Sequence, residues 1–436
     1  MLRKHLPPGF ALNVRRITAS MPRGFSTTDL RNAPSRSVWL TWALGLLLAL
    51  DAAGCVGLGS IRLVWGKWAC AEDLYLRWVE ERNFVARRNP AFLSPDAVSP
   101  YVEQSAVREN GLLATVDYPP WAYVTELIFV PPLRWRIVRW VFFAWSALAL
   151  IGLSCWTSLK FIQFGNFWRF AGALLPLSIW PVSHCLSIGQ NAVIVTALLA
   201  ASLVLLSRNW DVAAGILLGI ALFKANIALP FFVVFLVLGR WRALAAAISL
   251  NALTTACAWL ITGISPFVLI DQSLENAHRV QSASQNVVSK MILMTCGPNR
   301  AVELGVMAAV LLAGAGLMAL AKKRGCGELT LFAIAAVIGL SSTYRKEYDA
   351  VIILFLFMSV PLVALRTGSP GAWLSFAFCG AFLFLPFRLK DHNLPAIEAL
   401  ELLSWIIALI VLLRLDIETA HVDADSLRHP KSPSIT

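Results

Sequence analysis

The chain has 436 residues, of which 58% are Ala, Val, Ile, Leu, Met, Phe, Trp, Tyr or Cys and 14% are charged, with a mean hydropathy of +0.68. Soluble domains are about 45–50% apolar and about 25% charged, so this balance excludes a water-soluble enzyme, a disordered chain and a disulfide-stapled secreted module. The apolar runs are too long for barrel strands, which leaves an all-α polytopic membrane protein. The net charge of +12 reads as topology, with Lys and Arg gathered beside anionic lipid, and not as a nucleic-acid surface.

Residues 1–36 are polar and rich in Arg and Pro, with no apolar signal-peptide core, which predicts a disordered cytoplasmic tail. Twelve apolar spans follow, near 38–58, 137–159, 168–186, 191–207, 211–224, 227–239, 242–263, 302–321, 328–343, 349–365, 371–387 and 397–414. Several are shorter than the ~20 residues that cross a bilayer straight. With the first tail inside, alternation puts Lys160, Arg169, Arg208, Arg240, Arg242, the Lys322-Lys323-Arg324 cluster, Arg366 and Arg414 on the cytoplasmic side, as the positive-inside rule requires. Residues 415–436 then form a second cytoplasmic tail. No internal repeat is present, unlike the common transporter architectures.

The other face collects the unusual segments: the loop 59–136, Gly189-Gln190-Asn191, Lys224-Ala225-Asn226, the loop 264–301, Tyr344 to Asp349, and Arg388 to Asn393. The first of these loops opens with Glu72-Asp73-Leu74-Tyr75, and Leu74, Tyr75, Trp78, Val79 and Val85 share one helical face. The pattern predicts an interfacial helix lying on the bilayer, with Asp73 at its N-terminal end as a cap or as a functional carboxylate. Tyr118-Pro119-Pro120 stops any preceding helix and predicts a re-entrant turn. Gly189-Gln190-Asn191 opens a helix whose free N–H groups favour phosphate. Lys224 ends a short span, where an ammonium either snorkels or has a task.

The eight cysteines form no CxxC pair and no metal-like spacing with the six histidines, so zinc is not expected, and the acidic residues do not cluster to cage Mg²⁺. Cys70 and Cys296 are the one pair for which an outer disulfide is conceivable.

The order of these elements resembles glycosyltransferase family 87, integral-membrane enzymes of the GT-C class that use polyprenyl-phosphate-linked sugars. Asp73, Pro90, Tyr118-Pro119-Pro120, Gly189-Gln190-Asn191, Lys224 and Ser341-Ser342…Tyr348-Asp349 follow that family's pattern across roughly residues 38–365. The family's Lys-Pro pair reads Lys224-Ala225 here, its late Ser-Pro reads Ser341-Ser342, and its Gly-Asp-Pro-Tyr turn reads Arg88-Asn89-Pro90-Ala91-Phe92.

The resemblance implies a GT-C-like fold of about twelve transmembrane helices, with a transferase domain over 37–414 and interfacial helices in the large outer loop 59–136. It implies an inverting transfer on the outer face of the plasma (inner) membrane, from a polyprenyl-phosphate sugar such as mannose or arabinose to a lipid or envelope-glycan acceptor. Such chemistry needs one carboxylate as general base and cations for the departing phosphate. Asp73 is the expected base with Glu72 as its neighbour. Lys224, Arg345 and Lys346 are the expected phosphate ligands, backed by Arg279 and Arg300, and Tyr118, Gln190, Asn191 and Asp349 complete the substrate site. No metal and no cofactor are expected. The alternative reading is a polytopic transporter or lipid flippase, which predicts repeats and mid-membrane polar residues.

Overall fold

A computed structural model describes residues 35–66, 71–90, 118–280, 295, 297, 299–342, 346–384 and 395–428. Among them every regular element is helical. Helix α1 (Ser35–Trp65) crosses the boundary between a short N-terminal unit ending at Leu47 and the body Leu48–Thr436. In chain order the body continues with α2 (Glu72–Val85), α3 (Pro120–Glu126), α4 (Trp135–Lys160), α5 (Asn166–Ser178), α6 (Trp180–Ile188), α7 (Ala192–Ser207), α8 (Asp211–Ala221) and α9 (Ala225–Leu238). It closes with α10 (Trp241–Thr262), α11 (Pro266–Val280), α12 (Arg300–Lys323), α13 (Glu328–Ser342), a 3-10 turn (Glu347–Ile353), α14 (Leu354–Thr367), α15 (Pro370–Phe384) and α16 (Pro395–Arg428).

By length and hydropathy, seven stretches of the described residues can cross a membrane, or eight if α5 and α6, bent by 42° at Ile179, count as one span. Three shorter apolar helices are α7, α13 and α15. This is a polytopic membrane protein. One of the seven stretches, 211–238, is not a straight rod. A straight helix of that length would reach ~42 Å, yet Arg240 Nη1 donates to Asn209 Oδ1 at 3.0 Å and lies 3.5 Å from Asp211 Oδ1. The segment therefore folds back on itself, and Lys224 sits at the apex with a non-helical φ of −104° and ψ of 72°.

Helix α10 then runs parallel to α8. A Cβ on Gly215 would lie 2.0 Å from Ala243 O, and one on Gly219 would lie 3.1 Å from Ala247 Cα. Small residues four apart on both helices let the backbones touch, which is how apolar helices associate where lipid offers no hydrophobic gain. The carbonyl that the break at Leu222 frees accepts the Trp121 indole at 2.9 Å, so α3, with Pro120 at its first position, clamps the apex.

The sequence pattern placed α2 correctly but not its surroundings. Leu74, Tyr75, Trp78 and Val79 are covered by protein, and only Val85 is exposed. Tyr75 and Trp78 pack edge-on and tilted against Trp135 of α4 (5.3 and 5.5 Å between rings), and the Trp78 indole donates to Leu133 O at 2.8 Å. An apolar stripe satisfies protein and lipid equally, so periodicity alone does not choose between them. Here it is protein that covers the stripe. Helix α1 also runs on to Trp65, shortening the expected loop 59–136, and α16 runs to Arg428, so residues 415–428 continue a helix. The tail 1–34, Cys70, Cys296 and the segment Arg388 to Asn393 lie outside the described residues.

Candidate active site

The site grows from one turn. Gly189 ends α6 with φ +74°, a left-handed conformation that favours glycine, and a Cβ there would meet Leu74 Cβ at 2.4 Å. The bare backbone lets α2 dock end-on: Ala71 N donates to Ser187 O at 2.9 Å. The next residue, Gln190, is held by its N–H on Cys185 O at 2.8 Å, and its carbonyl accepts from Cys185 Sγ at 2.8 Å. The turn thus presents the Gln190 side chain to the first turn of α2.

That side chain bridges two charges. Gln190 Nε2 donates to Asp73 Oδ2 at 2.6 Å, and Gln190 Oε1 accepts from Lys224 Nζ at 2.9 Å. An ammonium only donates and a carboxylate only accepts, so the two partners fix the amide's orientation. Lys224 is 5% exposed, pairs with Asp349 Oδ1 at 2.7 Å and lies 4.7 Å from the Tyr348 ring centroid, on which His184 stacks. It does not snorkel. Asp349 is fully buried, and its second oxygen accepts from Lys346 N at 3.0 Å, capping the 3-10 turn. The Asp73 carboxylate, in the first turn of its helix, turns one oxygen to the Gln190 side chain.

The other expected residues divide. Asn191 turns away from this network and donates to Glu126 Oε1 at 2.5 Å. Tyr118 places its ring under the Arg77 guanidinium, 3.8 Å from the centroid, and its carbonyl accepts from Ser273 Oγ on α11 at 2.5 Å. Glu72 is half-buried beside Asp73. Lys346 contributes its backbone to Asp349 and keeps a half-buried side chain. Arg300 pairs with Asp271 and Glu275 at 2.8 and 3.7 Å, which removes it from the site. Arg345 and the Arg279 side chain lie outside the described residues.

Behind the turn lies a buried acidic group that sequence reasoning missed. Arg77 pairs with Glu80 at 2.7 Å and approaches Glu126 at 3.9 Å, and Glu81 is fully buried with no hydrogen-bond partner among the described residues. Burial pushes Glu126 up to about 7, against the opposing pull of Arg77, the Asn191 amide and Lys224, and burial together with Glu126 and Glu80 pushes Glu81 well above the carboxylate range. The available signal was a single carboxylate, Glu126, inside the otherwise uncharged stretch 119–132, with Arg77, Glu80 and Glu81 at i, i+3 and i+4. No group of His, Cys, Asp and Glu among the described residues has the arrangement of a metal site.

A family model of glycosyltransferase family 87 matches residues 117–344, just over half of the chain. The chain belongs to glycosyltransferase family 87. No curated protein and no solved structure matches it. The match to family 87 lies inside the stretch that the motifs span and contains Tyr118, Glu126, Gln190, Asn191 and Lys224. Asp73, Glu72, Arg345, Lys346 and Asp349 fall outside it, so roles for them in this family 87 protein rest on chemistry and, where described, on geometry. Family membership makes the chain a membrane glycosyltransferase, with a sugar donor and an acceptor as substrates.

Proposed function

We propose that this glycosyltransferase takes its sugar from a polyprenyl-phosphate donor and passes it, with inversion, to a lipid or envelope-glycan acceptor. Asp73 is the general base. It takes the acceptor hydroxyl's proton as that oxygen attacks the anomeric carbon, while the bond from that carbon to the phosphate oxygen breaks and the phosphate leaves as an anion. Gln190 occupies one carboxylate oxygen and leaves the other for the acceptor, a fixed geometry that lowers the cost of reaching the transition state. The observation that carries this reading is the continuous link Asp73–Gln190–Lys224–Asp349, which joins a carboxylate to a buried cation through one oriented amide.

Asp349 already neutralises Lys224, so the phosphate requires further positive charge. We assign it jointly to Lys224, Arg345 and Lys346, the last two being close to Asp349 in sequence. Mannose or arabinose is the sugar. The helices cross the membrane twelve times in the GT-C manner, 211–238 counting as an outward and a return pass, with both termini cytoplasmic. The Asp73–Lys224 end lies on the outer face of the plasma (inner) membrane. The test is to reconstitute the protein in liposomes with polyprenyl-phosphate sugars labelled in the sugar, and to follow label into a new glycolipid. Label appearing from mannosyl or arabinosyl donors is expected. Transfer from a nucleotide sugar alone, with none from either lipid donor, contradicts the proposal.

A further inference from the structure

We propose that Glu126 is a positioning residue for sugar transfer, holding through Asn191 the turn that carries Gln190. Its role rests on the reading of Asp73–Gln190–Lys224 as the link that performs the transfer. Asn191 opens α7, the place where an asparagine side chain ordinarily caps its own helix. It makes no such bond. Its amide instead reaches 65 residues back along the chain and donates to Glu126 Oε1 at 2.5 Å, with both residues buried. Asn191 Oδ1 is buried with no hydrogen-bond partner, so among the described residues Glu126 alone anchors that side chain by a hydrogen bond. Helix α3 reaches the other two members of the link as well. Trp121 holds Leu222 O, two residues before Lys224, and Tyr123 stacks on Phe84 of α2, the helix of Asp73, with 5.8 Å between rings. One short helix thus frames three segments that are far apart in the chain, and Glu126 is its tie to the middle one.

The charge on Glu126 sets how firmly it holds. A carboxylate accepts an N–H about twice as strongly as a neutral oxygen does. Ionised, Glu126 grips the Asn191 amide and draws Arg77 of α2, 3.9 Å away. Protonated, it keeps a neutral acceptor and loses that pull. Around it stand Arg77, Glu80 and Glu81 on α2, the phenols Tyr118 and Tyr123, and the field of Lys224. Helices α10 and α11 also pack on α3. The charged residue of α10, Arg242, lies beside Asp211 at the far end of α8, and on α11 Asp271 and Glu275 face Arg300 while His278 faces Glu303. Rate and stability therefore respond to pH in opposite senses. Ionisation of Glu126 tightens the turn, while burial makes the same charge costly for the fold.

The test is the rate of transfer per milligram of folded protein in proteoliposomes, at saturating donor and acceptor, on both sides of the value of about 7 to which burial pushes Glu126. Wild-type kcat should rise about five-fold with pH across that value, the difference between a charge-assisted and a neutral hydrogen bond. Glu126→Gln keeps the shape and a neutral acceptor, so it should fold, lose the rise and stay near the low-pH rate. Its donor KM should change little, because Lys224 keeps Gln190 and Asp349. Asn191→Leu should lose the rise too although Glu126 still titrates, because the N–H through which its charge acts is gone. A residue that matters only for folding would leave the pH profile of the folded protein untouched. Asp73→Asn tests the transfer link itself: wild-type rates in that variant overturn the link and the role of Glu126 with it. With Asp73→Asn inactive, a wild type without the rise, or a rise that persists in Glu126→Gln or in Asn191→Leu, overturns the role of Glu126 alone.

Discussion

The Gln190 side chain ties the chemistry together, and its neighbours define what substitution should do. Lys224→Ala leaves the fully buried Asp349 carboxylate without its cation, and breaking a buried pair on one side costs about 3–5 kcal/mol. We expect Lys224→Ala to lower the melting temperature sharply, and Lys224→Ala combined with Asp349→Asn to recover much of it. If the cation also binds phosphate, the stable double variant still loses donor affinity; unchanged donor affinity would reduce Lys224 to a structural role. Glu126 gives a pH signature. Its folded-state value of about 7 lies above the ordinary 4.5, so the native state holds the proton more tightly than the unfolded chain. Its contribution is full below about pH 4.5 and fades as pH rises through 7, on the order of 3 kcal/mol in all. Glu81 acts in the same direction. Melting temperature should fall between pH 5 and 8 in the wild type and fall less in Glu126→Gln; parallel curves would show that Glu126 does not carry the proton. Asp73, Gln190 and Lys224 were legible in the sequence because polar residues beside long apolar runs stand out. Glu126, Glu80 and Glu81 were not, since a carboxylate on a short loop helix reads as solvated until tertiary packing covers it.

At the scale of elements, the turn at Gly189 and the fold-back at Lys224 do most to place the site. Gly189→Ala sets a side chain 2.4 Å from Leu74 Cβ in a left-handed conformation. Overpacking of this kind costs typically about 1–3 kcal/mol. The strain should push α2 away, lengthening the Asp73–Gln190 contact, so transfer is expected to fall more than stability. Normal transfer in a measurably destabilised Gly189→Ala would show that Asp73 does not depend on this docking. The same elements show what a sequence does and does not reveal. The interruption at Lys224-Ala225-Asn226 divides 211–224 from 227–239, and the contact of Arg240 with Asn209 supports that division although the helical run is continuous. The apolar stripe of α2 misled because its partner, Trp135, arrives from a helix some sixty residues away in the chain. Such a partner leaves no mark on local periodicity.

At the scale of the molecule, we propose from the cationic loops that both termini lie inside and the Asp73 end outside. On a cysteine-free background, Ser105→Cys should react with an impermeant maleimide on intact cells, and Lys323→Cys only after permeabilisation. The reverse pattern would put the transfer centre in the cytoplasm and remove the outer-face assignment. The central claim is that this bundle presents one carboxylate, Asp73, to the acceptor. Asparagine keeps the shape of that side chain but accepts no proton at neutral pH, whereas Glu72, one position away on the helix, points about 100° elsewhere. The deciding measurement is the rate of sugar transfer per milligram of folded protein in proteoliposomes for Asp73→Asn and Glu72→Gln side by side. A loss of at least ~100-fold in Asp73→Asn with little change in Glu72→Gln is the predicted result. Wild-type rates in Asp73→Asn would contradict the account.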